Sequence, residues 1–404
     1  MVGHYFPLPA ETFILEQVNS LVELGHDVTV LVMIDGDPEA WDERSLRTGI
    51  PERVIDLSVF GRPLGGRLAP TLRGLVRSLL RHPRALSIGR HGRYAYRGKL
   101  AAVVDRLEPL GRFDAIHAFF GPAGITAECL RDIGLIDGPI VTSFLGYDIT
   151  REIQLKGAGP YRRLFREAAE LNPNSGFLRD RLLENGAPPE RTRVHRLGID
   201  LERFAFLDRS HREADVPLIA AVGRLVEKKG FEDLLRAART LVDRGVAFRL
   251  EIAGAGPLQG RLEAVLQELG LQDRVELLGW CRPDAVIELL HRADLFVVPS
   301  ITAPDGDQEG LPLTMLEASA TGLPSVGTRH SGIPEAIEDG VTGFLVEEGD
   351  HRTLADRIQA LCEDRDRRAK CGREARKLIE ARFCAATQAR ELVRILREAS
   401  GKSS

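Results

Sequence analysis

The chain has 404 residues, a net charge of −4, 43% hydrophobic residues and 28% charged residues, which is the composition of a soluble globular protein with room for two domains. The charge balance argues against a partner nucleic acid, and no apolar run reaches the roughly 18–20 residues that span a bilayer. Five scattered cysteines favour reduced thiols, and neither they nor the ten histidines are spaced like metal ligands. Because the first residues also lack a signal-peptide pattern, we expect a cytoplasmic protein without a bound metal.

Short β-branched runs alternate with helix-period segments along almost the whole chain, a pattern typical of βαβ units and parallel sheets. In the first half an amphipathic helix is predicted over Glu11–Glu23, and strands over Val28–Met33, Ala115–Ala118 and Ile140–Phe144. After a polar connection near residues 200–215 the pattern restarts, with strands predicted at Leu218–Val222, Ala247–Ile252, Val275–Leu277, Asp294–Val298 and Ser325–Thr328.

This pattern predicts an α/β fold of two similar doubly wound parallel-sheet domains that face each other across a cleft. We place the first domain at residues 1–205 and the second at 206–384. A last amphipathic helix within 385–404 is expected to pack back on the first domain.

Residues 57–104 differ from the rest because they contain no Asp or Glu, while ten cations between residues 62 and 99 are interleaved with leucines. One interpretation is a solvated helix pair that caps the first domain. The other is a basic amphipathic surface that rests on anionic lipid, with weak and salt-sensitive attachment at the inner face of the cell membrane.

The second half opens with a predicted strand and the loop Gly223–Gly230, whose sequence is GRLVEKKG. Ligands of open α/β sheets bind at the carboxyl ends of the strands, where this loop lies. Arg224 and Lys229 can therefore reach the cleft, neutralise a nucleotide diphosphate and stabilise it as a leaving group.

The next loop, GAGPLQG at residues 254–260, begins like a dinucleotide-binding fingerprint, but its third glycine comes one place late. Its simpler interpretation is a turn between a strand and a helix, in which Gly254 allows close approach by a ligand.

The segment PDGDQEGLPLTMLE at residues 304–317 carries the strongest signal in the chain. It follows a predicted buried strand, and Pro312 is predicted at the first position of a helix. The amides of Gly310 and Leu311 would then point out of a helix N-terminus, which is a site for a diphosphate. Glu309 and Glu317 add carboxylates that can accept hydrogen bonds from sugar hydroxyls.

Together with SGIPE at residues 331–335, these elements resemble the C-terminal half of the family 4 retaining glycosyltransferases, which have the GT-B fold of two Rossmann-like domains. The resemblance implies that Arg224 and Lys229 hold the donor diphosphate, that Glu309 contacts the transferred sugar and that Glu317 holds the ribose hydroxyls. It also implies that no metal or other cofactor is needed beyond the nucleotide-sugar substrate.

The first half resembles the colanic-acid and amylovoran type of exopolysaccharide glycosyltransferase through FPLPAETFI at residues 6–14, with Ala10 in place of the usual Ser. The resemblance implies that this half binds the acceptor, and we predict contacts from Glu11, Tyr147 and Asp148.

Two further matches each lack a histidine. The chain has HAFFG at residues 117–121 where the subgroup has His-Ala-His-Phe-Gly, and FLGYD at 144–148 where it has Phe-His-Gly-x-Asp. Phe119 and Leu145 take the histidine positions. We include His117 as a candidate substitute for the missing imidazole, because it lies on the same strand face two residues back.

The leading hypothesis is a retaining hexosyltransferase that uses a nucleotide diphosphate sugar and a saccharide or lipid-linked saccharide acceptor in exopolysaccharide or surface-glycan assembly. The replaced histidines leave a second hypothesis open, a catalytically silent nucleotide-sugar binder or partner subunit. A dinucleotide oxidoreductase would account for neither Glu309 nor Glu317, and an epimerase would need catalytic carboxylates that the sequence does not identify.

Overall fold

A computed structural model of the chain describes residues 1–8, 11–37, 40–57, 64–91, 93–96, 98–210 and 216–402. The first half forms a parallel sheet of six strands: β1 Val2–Phe6, β2 Val30–Asp35, β3 Val54–Asp56, β4 Ile116–Phe119, β5 Ile140–Phe144 and β6 Glu170–Pro173. The second half forms another: β7 Leu218–Val222, β8 Arg249–Ala253, β9 Val275–Gly279, β10 Leu295–Val298, β11 Ser325–Thr328 and β12 Gly343–Val346.

The strand orders are β3-β2-β1-β4-β5-β6 and β12-β11-β10-β7-β8-β9. Both are the doubly wound 3-2-1-4-5-6 arrangement, in which ligands bind where the strand order reverses. The predicted pair of doubly wound domains is confirmed.

Helices cover both faces of each sheet. In the first half they are α1 Thr12–Glu23, α2 Glu43–Arg47, α3 Leu64–Arg81, α4 Ile88–His91, α5 Arg93–Tyr96, α6 Lys99–Arg106, α7 Gly121–Asp132, α8 Arg151–Lys156, α9 Arg162–Glu167 and α10 Gly176–Glu184. In the second half they are α11 Phe231–Asp243, α12 Gln259–Glu268, α13 Pro283–Arg292, α14 Leu313–Ala320, α15 His351–Glu363, α16 Arg365–Arg382 and α17 Ala385–Ala399. Within the described ranges, no helix combines the length and the apolar character needed to cross a bilayer.

Several predicted boundaries differ from the structure by one or two residues. Helix α1 begins at Thr12, and Glu11 is its N-cap residue. The strand predicted at 247–252 is shifted to 249–253, because β8 pairs with β7 as far as Ala253 opposite Val222. Pro312 is the extended N-cap residue of α14, with φ −64° and ψ 112°, rather than its first helical residue.

The C-terminal helix α17 packs on the first domain. Its Leu392 is fully buried in a cluster with Ile14 and Val18 of α1. The guanidinium of Arg193 also lies 2.9 Å from a carboxylate oxygen of Glu398. The last helix therefore ties the two halves together.

The two halves also contact each other beside the cleft. Glu335 accepts a hydrogen bond from the Gly176 N–H at 2.6 Å, at the start of α10, and another from Arg196 at 2.7 Å. Arg151 and Asp305 form a second ion pair across the domains, at 2.7 Å. These contacts hold the two walls of the cleft facing each other.

Candidate active site

A cleft of about 590 Å³ separates the two sheets, and its walls come from the loops that follow the carboxyl ends of β1, β4–β10. The predicted donor residues of the second half line it: Arg224, Lys229, Gly254, Glu309, Leu311 and Glu317. Gly310 lies in the same wall, between Glu309 and Leu311. Tertiary folding thus brings together loops that are up to about 90 residues apart in the sequence.

Two glycines let the loops after β7 and β8 touch. A Cβ on Gly254 would lie 1.8 Å from the carbonyl oxygen of Gly223, and its φ of +148° also favours glycine. A Cβ on Gly223 would lie 3.1 Å from the Lys229 side chain. The lysine stem therefore lies over Gly223 and its ammonium group reaches the loop after β10.

Lys229 and Glu309 form a buried ion pair at the centre of this wall, with Nζ 2.7 Å from Oε1 and side chains that are 16% and 9% exposed. Lys228 lies beside it, 3.1 Å from Asp307. Burial alone would raise the pKa of Glu309, but Lys229 and Lys228 outweigh it and hold that pKa below its usual value. Glu309 is therefore ionised at neutral pH.

His330 holds the backbone of Glu309 in place, and it is not among the site residues predicted from the sequence. The backbone N–H of Glu309 donates to Nε2 of His330 at 3.2 Å, so this nitrogen is the acceptor. The proton of the neutral ring is then on Nδ1, which lies 2.7 Å from Glu348. The only signal in the sequence was a histidine directly before the SGIPE segment, and the structure shows that it is buried.

Helix α14 presents its N-terminus to the cleft. Pro312 lacks an N–H, and the N–H groups of Gly310 and Leu311 donate to no acceptor among the described residues. The side chain of Arg224 is exposed on the facing loop, and no described carboxylate pairs with it. Amides, a helix terminus and an unpaired guanidinium together make an anion site.

Glu317 lies one helical turn further along the same wall. Burial raises its pKa to about 7, which the nearby cation Arg203 only partly offsets. Trp280, 63% exposed, also lines the cleft. A half-protonated carboxyl can both donate and accept hydrogen bonds, as paired ribose hydroxyls require.

The opposite wall belongs to the first domain and is largely apolar. Leu8, Phe13, Phe120 and Leu145 line it, with Glu11 among them. Burial raises the pKa of Glu11 to about 7. The Phe120 ring lies 6.4 Å from Phe13 in this wall and 5.2 Å from Tyr147 beside it, so the three aromatic rings form a continuous shelf at the edge of the cleft.

Phe120 adopts a backbone conformation that non-glycine residues rarely tolerate, with φ 69° and ψ 148°. Its N–H donates to Ser143 at 2.8 Å and its carbonyl oxygen accepts from Ala123 and Gly124 at 3.0 and 3.1 Å. Strain of this kind persists only where the surroundings enforce it, and it clusters at functional sites. Here it points the ring into the cleft.

Comparison with known proteins identifies the fold and the family. Residues 204–378 match the model of glycosyl transferases group 1, and residues 10–198 match the model of the glycosyl transferase 4-like domain. The chain belongs to the family 4 glycosyltransferases.

This glycosyltransferase has close relatives and similar solved structures. It is 38% identical over 400 residues to a protein named as a colanic acid biosynthesis glycosyltransferase, WcaL of Escherichia coli strain K12, with 97% of each chain covered. It is 34% identical over 401 residues to the amylovoran biosynthesis glycosyltransferase AmsK of Erwinia amylovora, again with 97% of each covered.

Solved structures share the GT-B fold. HepE of Anabaena, solved with UDP and glucose, has a TM-score of 0.69 at 20% identity, covering 98% of this chain and 100% of its own. The sucrose-phosphate synthase of Thermosynechococcus elongatus has a TM-score of 0.72 at 18% identity, covering 100% and 99%.

In this glycosyltransferase His117 does not line the cleft. Its Nε2 lies 2.8 Å from Ser143 Oγ, and the ring borders a separate cavity beside Met1 and Val2. Burial, together with His195 and the N-terminal amine, lowers its pKa to about 3. The prediction that His117 substitutes for the missing imidazole is therefore corrected, because a side chain two residues back along β4 is enclosed in the sheet.

Asp148 is also enclosed rather than exposed to an acceptor. It is fully buried and accepts hydrogen bonds from the N–H groups of Gly121 and Gly146, each at 2.9 Å, and of Leu145 at 3.2 Å. Burial raises its pKa to about 6, although these amides oppose the shift. We therefore correct its predicted acceptor contact: Asp148 holds the loop that carries Leu145 and Tyr147, and Tyr147 is 38% exposed beside Phe120.

The positions of the two replaced histidines have different surroundings. Phe119 is 2% exposed and packs in the cluster that contains Phe6 and Leu392. Leu145 lies at the cleft itself. Among the described residues, no group of three His, Cys, Asp or Glu side chains could hold a metal ion.

Proposed function

We propose that the enzyme transfers a hexosyl group from a nucleotide diphosphate sugar to a saccharide acceptor, with retention of configuration and without a metal ion. The observation that carries this proposal is the donor wall, in which the buried Lys229–Glu309 pair lies beside the amides of Gly310 and Leu311 and the guanidinium of Arg224, none of which has a partner in the described part of the chain.

The diphosphate would bind between Arg224, Lys229 and the N–H groups of Gly310 and Leu311. Two cations and a helix terminus can neutralise the charge that develops on a departing diphosphate, the task a divalent metal performs in other enzymes. Preorganised donors of this kind lower the barrier because they need no reorganisation during the reaction.

Glu309 would accept hydrogen bonds from hydroxyls of the transferred sugar, since Lys229 and Lys228 keep it ionised. Its backbone is held by His330, which limits its freedom to turn away. Glu317 would hold the ribose hydroxyls at the other end of the diphosphate. The donor thus extends along α14 from the sugar to the nucleoside.

Retention fits a reaction on one face of the sugar. The bond between the anomeric carbon and the phosphate oxygen breaks, a bond to the acceptor oxygen forms on the same face, and the acceptor proton passes to the departing phosphate. Apart from Glu11, the acceptor-side groups named above are apolar or aromatic. Leaving-group stabilisation on the donor side would therefore contribute most to the rate.

The acceptor would lie against the aromatic shelf of Phe13, Phe120 and Tyr147, with a hydroxyl directed at Glu11. Apolar faces of sugar rings fit such a surface. A half-protonated carboxyl can either donate a hydrogen bond to a hydroxyl or accept one from it. The names of the relatives WcaL and AmsK favour exopolysaccharide assembly, and a lipid-linked saccharide is the acceptor class we propose.

A panel of nucleotide sugars tests the function through donor hydrolysis and transfer to free saccharides. We expect one donor to be consumed, and we expect Glu309→Gln to reduce its consumption by at least ~100-fold. The matched control is Glu347→Gln, because that side chain is 75% exposed. Equal rates in wild type and Glu309→Gln would refute the donor site.

A catalytically silent nucleotide-sugar binder is the alternative, and the apolar Leu145 at the cleft is the observation that favours it. Calorimetric binding of a donor without any turnover, across acceptors of several sugar types, would establish it.

A further inference from the structure

Over residues 72–81, whose side chains are described, helix α3 packs against α6 through one face. A Cβ on Gly74 would lie 1.8 Å from the carbonyl oxygen of Ala101 in α6, so the two helices are in close contact there. Ser78, one turn further along, is fully buried. Since a helix presents residues three and four apart on one side, the opposite side of α3 points outward.

That outward side carries an apolar stripe. Leu72, Val76, Leu79 and Leu80 are 61%, 59%, 66% and 78% exposed, at the spacing of a single helix face. Ile88 in α4 is a further exposed apolar side chain, at 57%. Single exposed apolar side chains are common, but a grouped set marks an interaction surface. We call these five residues the apolar face.

The charges around the apolar face differ from what the sequence suggested, because folding pairs several arginines with carboxylates from outside residues 57–104. Arg73 lies 3.0 Å from Asp105, and Arg77 and Arg90 pair with Glu108 and Asp132.

Two exposed cations follow the stripe in the chain, Arg81 in the last turn of α3 and Arg84 after it. Arg81 and Arg84 form no ion pair with any described carboxylate. Among the side chains that the structure describes, the surface is therefore an apolar stripe with two arginines that have no acidic partner, while the predicted cations Arg62, Arg67, Arg93 and Arg97 lie outside the described side chains.

We infer that the apolar face, with Arg81 and Arg84, inserts into the boundary between the headgroups and acyl chains of an anionic lipid bilayer. Amphipathic helices bind there by burying apolar side chains while cations meet anionic headgroups. A second copy of this chain fits less well, because an isologous contact pairs the same surface with itself and residues 57–104 contain no Asp or Glu to meet the arginines of the other copy. This inference does not rest on the proposed transferase chemistry.

Co-sedimentation with vesicles of phosphatidylcholine and phosphatidylglycerol, at low and high salt, tests the inference. Leu79→Glu/Leu80→Glu should weaken binding by at least ~100-fold, since full burial of each leucine is worth roughly tenfold or more. The matched control is Leu46→Glu, because Leu46 is also 61% exposed but lies on α2; it should bind like wild type.

The variant Arg81→Gln/Arg84→Gln measures the electrostatic contribution to vesicle binding. At low salt it should weaken binding by roughly 25-fold, about fivefold for each arginine near the surface. At high salt, or on pure phosphatidylcholine, its effect should nearly vanish while that of the leucine variant persists.

Two results would overturn the inference: wild-type protein that does not bind anionic vesicles, or a leucine variant that binds like wild type. Light scattering supplies a third readout. A dimer that the leucine variant converts to monomer, without vesicle binding, would assign the face to a second copy instead. Circular dichroism melting confirms that each variant is folded.

Discussion

Replacement of Lys229 by Met removes the cation closest to Glu309 while it keeps the apolar stem over Gly223. The ion pair has a separation of 2.7 Å and its side chains are 16% and 9% exposed, so little solvent replaces the lost charge. Loss of one preorganised charge contact costs ~2.7–4 kcal/mol in the transition state. We therefore expect donor consumption to fall by at least ~100-fold.

The same substitution should lower the free energy of unfolding. Breaking a buried pair costs about 3–5 kcal/mol because one charge remains buried and unpaired. Lys228 still acts on Glu309, so we expect a loss at the lower end of that range, about 3 kcal/mol. The pKa of Glu309 should rise toward the value that burial alone favours.

The double variant Lys229→Met/Glu309→Gln separates catalysis from folding. It removes both charges, so denaturant unfolding should show most of the stability restored, while donor consumption stays at least ~100-fold reduced. Lys377→Met is the matched control, because that side chain is 68% exposed. Recovery of activity in the double variant would refute the reasoning, since both charges are assigned to the donor.

Three further predictions concern the two cleft walls. Glu317→Gln should change the pH dependence of stability, because the folded pKa of Glu317, about 7, lies above its usual value of 4.5. Wild type should lose stability as the pH rises from about 4.5 to 7 and the variant should not, a difference of about 3 kcal/mol at pH 8 in denaturant titrations. His330→Ala should lower the free energy of unfolding by about 1–3 kcal/mol, because it leaves the buried Glu309 N–H without its acceptor. It should also weaken donor binding measured by calorimetry. Unchanged binding would contradict the positioning of Glu309 by His330. Phe120→Gly should be more stable than Phe120→Ala by about 1 kcal/mol, since glycine relieves the backbone strain at φ 69°. Both variants should raise the KM for the acceptor while the rate of donor hydrolysis stays constant. An alanine variant as stable as the glycine variant would argue against strain.

Much of the donor wall could be predicted from local sequence. Its groups lie in three short segments, and each segment joins the end of a strand to the start of a helix. In a parallel sheet those junctions meet at one edge, so Arg224, Lys229 and Glu309 converge without any knowledge of distant contacts. His330 was missed because its contact with Glu309 depends on how the loops after β10 and β11 pack.

The acceptor wall could not be predicted in the same way. His117 and Phe120 lie three residues apart on and after β4, but only Phe120 reaches the cleft, because the backbone turns sharply at the end of the strand. Asp148 was predicted at the acceptor, whereas three backbone amides enclose it. A polar residue type does not reveal whether its partner is a ligand or the main chain.

The alternation of strands and helices, the glycine turns and the charges at the ends of the strands can be predicted from the chain alone, because these features depend on residues that are close together in it. Three-dimensional packing is needed to know which side chains face the cleft, which arginines of the basic segment are paired and which face of α3 is left apolar and exposed. Those outcomes depend on contacts between distant segments, such as Gly74 with Ala101 and Arg73 with Asp105, which no local pattern encodes.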